Sequence, residues 1–299
     1  MMSANVLRFA HFSDMHLTSR RYSWRTEDWF NKRLAAWLNL TVAGRGYRFR
    51  HAPQTTAAMV RDLRQRRADY LLFSGDATAM GFDDELEVLT SLLPLDEWPG
   101  IAVPGNHDYC TKTAQREEIF ERRFARWQQG QRIDAERYPF AVRAGDVWLI
   151  GVNSAVGNRW PWDATGRVGA SQLQRLRVLL AGLTGEGPRL LITHYPVVRA
   201  SGRPEPFLRK MHDLDAVIEV CAAGRVSAWL HGHIHTAFHF PKGVHAPFPI
   251  VCAGSATQTR RWSYGEYEIR DGLLRAGVRE YDPAGDLFRE TRAFELELA

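Results

Sequence analysis

Apolar and polar positions alternate along this chain in short blocks. Runs of three to six mostly apolar or β-branched residues predict strands at 7–12, 70–74, 101–103, 147–152, 190–193, 227–230 and 250–252. Between them apolar positions recur at helical spacing. The stretch 52–68 places Ala58, Val60 and Leu63 on one face, 171–183 starts at a Ser171 N-cap and ends near Gly185, and the run HDLDAVIEVCAAGRV closes at Gly224. Strands alternating with helices predict a layered α/β domain. The last forty residues alternate turn residues with short strand-like runs, the pattern of an antiparallel edge. No internal repeat, low-complexity tract or linker interrupts the pattern, which favours a single domain over 1–299.

Composition narrows this only a little. With 299 residues and 45% hydrophobic content the chain can bury a full core. It has no apolar run of eighteen residues and no leader pattern at its start, so neither a membrane span nor a secretory signal is expected, and a cytoplasmic or membrane-peripheral location is. Three widely spaced cysteines, Cys110, Cys221 and Cys252, make neither a disulfide framework nor a thiolate zinc site, and read as reduced and structural. Charge changes the picture more. Between Arg20 and Arg50 eight basic residues face two acidic ones, a local charge of +6 in a chain whose total is +5, so the remainder is close to neutral. Such a patch points to an anionic partner: a phosphorylated substrate, acidic lipid or nucleic acid.

The chemistry lies where the apolar runs end. FSDMHL (12–17), SGDATAMG (74–81), VPGNHDYC (103–110), ITHYP (192–196) and LHGHIHT (230–236) each bring Asp, Asn or His to a strand terminus. In open α/β sheets, loops leaving neighbouring strands lie side by side at the carboxyl edge, so these side chains can surround one point. Imidazole, carboxylate and amide oxygen without thiolate suit manganese, iron or zinc. About seven donors exceed one four-coordinate site and match two divalent ions sharing a carboxylate. Gly75, Gly105 and Gly232 precede donor residues and permit the turns that swing them inward.

These blocks resemble the calcineurin-like metallophosphoesterases, whose pattern runs D-x-H, G-D, G-N-H-(D/E), a lone His, and G-H-x-H. Every block is present, as Asp14-Met-His16, Gly75-Asp76, Gly105-Asn106-His107-Asp108, His194 and Gly232-His233-Ile-His235. The resemblance implies a four-layer α/β/β/α sandwich of two mixed sheets flanked by helices. It implies that Asp14, His16, Asp76 and His235 hold one metal and Asp76, Asn106, His194 and His233 a second. His107, with Asn106, would bind phosphate; His107, as imidazolium, would protonate the leaving oxygen, and Asp108 would orient it. The segment after Asp76, ATAMG, lacks the Asn, Asp or Glu of many relatives, and His231 falls at a position that varies in the family.

Within that family the chain resembles the bacterial cyclic-AMP phosphodiesterase-like branch most, which implies a nucleotide-type phosphodiester as substrate. A UDP-2,3-diacylglucosamine pyrophosphatase-like hydrolase of a lipid-linked substrate is the alternative, and a non-catalytic metal-containing binding module the alternative of another class. The stretch at about 20–52 reads as an insertion. From Thr26, the positions Phe30, Leu34, Trp37, Leu38 and Val42 recur at helical spacing, with Lys32 and Arg33 on other faces. Such a stripe serves as a packing face or homodimer contact, or as a surface helix on an anionic membrane. No recognisable nucleic-acid module supports a nucleic-acid partner. Arg159, Trp160, Trp162, Arg199 and Arg203 sit in loops beside motif strands and are not assigned a role.

Overall fold

The computed structural model describes residues 7–299; the first six, where a leader would begin, lie outside the described residues. In chain order the strands are β1 (Arg8–Phe12), β2 (Tyr70–Phe73), β3 (Gly100–Ala102), β4 (Phe140–Ala144), β5 (Val147–Gly151), β6 (Arg189–Ile192), β7 (Ala228–His231), β8 (Ala237–Phe240), β9 (Ile250–Ala253), β10 (Ser263–Arg270), β11 (Leu273–Asp282) and β12 (Leu287–Glu297). The helices are α1 (Lys32–Thr41), α2 (Arg45–Arg48), α3 (Ala52–Arg66), α4 (Asp83–Leu92), α5 (Lys112–Arg116), α6 (Ile119–Arg123), α7 (Ala170–Gly182) and α8 (Leu214–Ala223).

The strands form two six-stranded mixed sheets, ordered β12-β11-β10-β1-β2-β3 and β4-β5-β6-β7-β9-β8. Alternation along each strand explains the layering. Leu72 and Leu190 face a core shared by both sheets, with Phe9, Phe140, Leu230 and Val251. Their neighbours Leu71, Phe73 and Leu191 face the opposite way, onto Met59 and Leu63 of α3, Leu89 of α4, and Leu180 and Val217 of α7 and α8. Strands apolar on both faces must be covered on both, which is why they read as continuous apolar runs. Each such fully buried Leu or Phe contributes about 1.5–3 kcal/mol relative to exposure. The outcome is the four-layer sandwich expected from the sequence.

Register then places the site. Phe12 of β1 pairs with Phe73 of β2, and Phe73 with Ala102 of β3, so three parallel strands end level. In the second sheet Ile192 of β6 pairs with Leu230 of β7. Donor-bearing loops from both sheets therefore leave at the same edge.

Three sequence expectations change. Strands β4 and β8 and helices α2, α4, α5 and α6 were not anticipated: β4 and β8 are short antiparallel edges, α2, α5 and α6 have only four or five residues and show no period, and α4 carries its signal in a cluster of acids, Asp83, Asp84 and Glu85, in its first turn. The predicted helix from Thr26 is not continuous. A 3-10 turn over Thr26–Phe30 stops at Asn31, whose extended backbone and side-chain oxygen cap α1 by accepting from the Arg33 N–H. The apolar stripe consequently does not face one way. Trp37 and Leu40 pack with Tyr22, Trp24, Met80 and Phe82, whereas Phe30 and Val42 are exposed. Lys32 and Arg33, placed on faces other than the stripe, are buried: Arg33 pairs with Asp28 at 2.9 Å and lies 3.9 Å over the Phe82 ring, and Lys32 Nζ donates to the Asp163 carbonyl at 2.7 Å.

All three cysteines are buried and unpaired. Among the described residues, no helix is long and apolar enough to cross a membrane.

Candidate dinuclear metal site

The loops after β1 and β2 are zipped together before any side chain is considered. The Asp14 N–H donates to the Gly75 carbonyl at 2.9 Å, and the Met15 and His16 N–H groups both donate to the Asp76 carbonyl. Asp14, His16, Asp76, His233 and His235 all hold positive φ, from 43° to 70°, in the left-handed region that costs a non-glycine residue energy. Five candidate donors in strained backbone are a cost the surrounding hydrogen bonds must hold in place.

Two quartets result. Asp14, His16, Asp76 and His235 offer ligand atoms that lie within 4.8 Å of one another. His235 Nε2 is 3.0 Å from Asp14 Oδ1, and His16 Nε2 is 3.6 Å from Asp76 Oδ2. On the other side, His194 Nε2 lies 3.4 Å from the same Asp76 Oδ2 and 3.2 Å from Asn106 Oδ1, and His233 Nδ1 is 3.0 Å from Asn106 Oδ1. Asp76 Oδ2 thus stands between the groups, while Asp76 Oδ1 is turned away to accept the His107 N–H at 2.7 Å.

The donor set fits two cations. His16 Nδ1 lies 3.2 Å from the Thr78 carbonyl, His194 Nδ1 2.8 Å from the Ser74 carbonyl, and His235 Nδ1 meets Gln258 Oε1, which orients each Nε2 lone pair inward. Asp14 Oδ1 is buried without a hydrogen bond; His233 meets the second quartet through Nδ1, while its Nε2 lies 3.9 Å from Glu205 Oε2. Burial lowers His16 to about 4. His194 goes the other way: burial opposes its charge, but the Asp76 carboxylate outweighs it and raises the ring to about 9. A proton is favoured between that ring and Asp76, and a divalent cation would take the same place. Close packing fixes the glycines. A Cβ on Gly232 would sit 1.9 Å from Ser13 Oγ and 2.5 Å from Asp14 Oδ2, and one on Gly105 would sit 2.1 Å from Asp76 Oδ1.

His107 stands beside the quartets, its ring edge-on to His16 at 4.7 Å. One expectation about it is corrected. Its Nδ1 is oriented by the Ala79 carbonyl at 2.7 Å, not by Asp108. The Asp108 carboxylate instead accepts the N–H groups of Asp76, Thr78 and Gly105 at 2.8–3.0 Å, tying the β2 and β3 loops together. Burial and the neighbouring Asp76 charge push Asp108 up to about 8, against those three donors, which favour its ionised form. Charge on the His107 ring is itself disfavoured in these surroundings. Burial and the Arg45 guanidinium hold it well below its ordinary value. His231 belongs to neither quartet: its Nδ1 lies 2.9 Å from the Gly232 carbonyl and its ring packs on Phe238.

The site opens into a cleft of about 620 Å³ lined by Lys32, Arg45, Arg48, Trp162, Arg209 and Arg261, among others. Sequence reading missed Arg45 and Gln258 as site residues. Arg45 was visible only as one charge in a basic run, and nothing in the sequence marks Gln258.

A profile of the calcineurin-like phosphoesterase family matches residues 7–237, well over half of the chain. Comparison with curated protein sequences finds no match. Among solved structures the chain is similar to a dimetal phosphatase from Danio rerio, with a TM-score of 0.69 and 13% identity over 98% of this chain and 99% of that one. It is similar to purple acid phosphatase PPD1 from yellow lupin (Lupinus luteus) seeds, with 0.63 and 12% over 99% of this chain and 54% of that one. It is also similar to GAP50, the anchor in the inner membrane complex of Plasmodium, with 0.57 and 9% over 98% of this chain and 89% of that one. At these identities the likeness is one of fold.

Proposed function

The chain belongs to the calcineurin-like phosphoesterases, metal-dependent enzymes of phosphoester hydrolysis, and we propose that within them it hydrolyses a nucleotide-type phosphodiester. The observation that carries this is the pairing of cations with an aromatic wall in one cleft. Lys32, Arg45, Arg48, Arg209 and Arg261 suit phosphoryl oxygens, and Trp162 offers a face to a planar base. A cleft of about 620 Å³ is of small-molecule size.

In this reading Asp14, His16, Asp76 and His235 hold one divalent ion and Asp76, Asn106, His194 and His233 the other, with manganese, iron or zinc suited to the donors. The ions, when bound, supply a hydroxide nucleophile near neutral pH and positive charge for the phosphoryl oxygens. The chain's own residues do the rest. Asn106 and His107 face the cleft and bind the phosphoryl group. The Ala79 carbonyl fixes the His107 ring through Nδ1, which leaves Nε2 beside Arg45 in the cleft wall, where a leaving oxygen would meet it. Burial and, after it, the Arg45 charge keep that ring neutral; an anionic phosphate beside Arg45 would offset the second of these and favour a proton on Nε2 for the leaving group.

A second reading rests on a different observation. The segment that lines the cleft through Lys32, Asn39, Arg45 and Arg48 also exposes Phe30, Val42 and Tyr47, with Arg50 lying 3.7 Å over the Tyr47 ring and Arg20 and Arg21 exposed in the same segment. Exposed apolar residues among cations suit an anionic membrane surface, and with it a lipid-linked substrate such as UDP-2,3-diacylglucosamine.

The test is ³¹P NMR of metal-loaded protein incubated in parallel with cyclic AMP and with UDP-2,3-diacylglucosamine, with His107→Ala as control. Conversion of cyclic AMP supports the first reading. Conversion of the lipid nucleotide alone, with liposome binding lost in Phe30→Glu/Val42→Glu, replaces it with the second. No conversion of these or of a wider panel of phosphate esters leaves a binding module.

A further inference from the structure

Two deeply buried arginines of this chain are neutralised by buried carboxylates, Arg33 by Asp28 at 2.9 Å and Arg279 by Asp62 at 2.6 Å. Arg45 is different. Its guanidinium lies in the cleft wall with Nη2 3.0 Å from His107 Nε2 and 3.4 Å from His16 Nδ1, and its Nε is inaccessible and without a hydrogen-bond partner. Among the described residues no carboxylate reaches it at ion-pair distance. The nearest anions, Asp76 and Asp14, belong to the quartets. A partly buried guanidinium with spare donors and no counter-charge is costly unless an anion arrives from outside.

The local backbone is built to deliver this residue. Arg45 opens α2 directly after Gly44, whose φ is +79°. One residue on, a Cβ on Gly46 would meet the Leu40 carbonyl at 2.6 Å, so α2 folds back hard against α1. The turn between them aims Arg45 at the cleft, while Trp37 and Leu40 anchor α1 to the body of the protein.

We propose that Arg45 is the phosphoryl-oxygen clamp of this site, a substrate-binding residue carried by the 20–52 segment. The proposal rests on the phosphoesterase reading above and deepens it: Arg45 takes a non-bridging oxygen of the substrate phosphate, so the segment forms part of the site and is not solely a packing or lipid-facing element. A planar fork suits this better than an ammonium, because it can engage two oxygens at once.

The experiment compares wild type, Arg45→Lys and Arg45→Gln by metal content, melting temperature, calorimetric affinity of the metal-loaded protein for inorganic phosphate, and steady-state hydrolysis of bis(4-nitrophenyl) phosphate. Arg45→Gln is expected to keep its metals and its melting temperature and to bind phosphate at least tenfold more weakly. Its KM should rise by a similar factor, and Arg45→Lys should fall between. Unchanged phosphate affinity in Arg45→Gln overturns the clamp. So does loss of metal together with phosphate, which would make Arg45 a support of the quartets. If wild type hydrolyses no phosphate ester yet binds phosphate through Arg45, the clamp stands and the catalytic reading fails.

Discussion

His16 Nε2 faces His235 Nε2 across 3.1 Å, although the other nitrogen of each ring already lies against an oxygen acceptor. Two lone pairs brought so close repel unless a cation lies between them. Wild-type protein loaded with manganese or zinc should hold close to two ions per chain by elemental analysis. His235→Ala should hold about one, and Asp76→Ala, which removes the shared oxygen, close to none with hydrolysis lost too. Two ions retained in Asp76→Ala would refute the shared role.

Asp108 is a structural tie rather than a partner of His107. Replacing it by Asn puts an amide N–H₂ against backbone N–H donors and leaves buried donors unsatisfied, so Asp108→Asn should lose about 1–3 kcal/mol in urea unfolding of the apoprotein. A change under roughly 0.5 kcal/mol, the range of ordinary surface substitutions, would show that the β2 and β3 loops are held by something else.

The Asp28–Arg33 pair anchors the helix that borders the cleft. Asp28→Ala leaves the Arg33 guanidinium buried and unpaired at 3% exposure, which costs about 3–5 kcal/mol. The double variant Asp28→Ala/Arg33→Met should recover much of that loss in thermal melts. Additive losses in the double variant would mean that the two side chains are not coupled.

His11 gives the chain an acid limb. It is buried between Tyr267 Oη at 3.1 Å and Ser74 Oγ at 2.9 Å, and burial lowers it from 6.5 to about 3. As pH falls the unfolded chain takes up this proton near 6.5 while the folded chain resists until about 3. The stability in question is therefore complete above pH 6.5 and is lost progressively down to pH 3. His11→Gln should flatten that limb by up to roughly 4 kcal/mol in denaturant titrations at stepped pH. An unchanged acid slope would assign it to other groups.

The fold was legible where local pattern and tertiary demand agree. Both-sided apolar runs such as 70–74 and 190–193 can satisfy themselves only between two layers, and they became β2 and β6 of facing sheets. Reading failed in the 20–52 segment. Helical spacing there says that Trp37 and Phe30 can share a stripe, but Asn31 breaks the helix and Asp28 offers Arg33 a buried partner, so charge went inside and Phe30 outside. Periodicity records which residues can share a face, not which face the rest of the protein covers.

The sequence by itself determined the donors. Asp14 and His16, Asp76, Asn106, His194, His233 and His235 follow their strands within a few residues, and covalent spacing makes their arrival at a sheet edge a local matter. Tertiary structure alone decided how they are used. Asp76 stands between two quartets because β1, β2 and β3 end level beside β6 and β7, and Asp108 turned to three backbone N–H groups because those loops meet around it. Arg45 reached His107 across 62 residues of chain because α1 packs on Phe82 and α2 folds back on it. Such contacts depend on how separate elements pack, and no spacing along the chain encodes that distance.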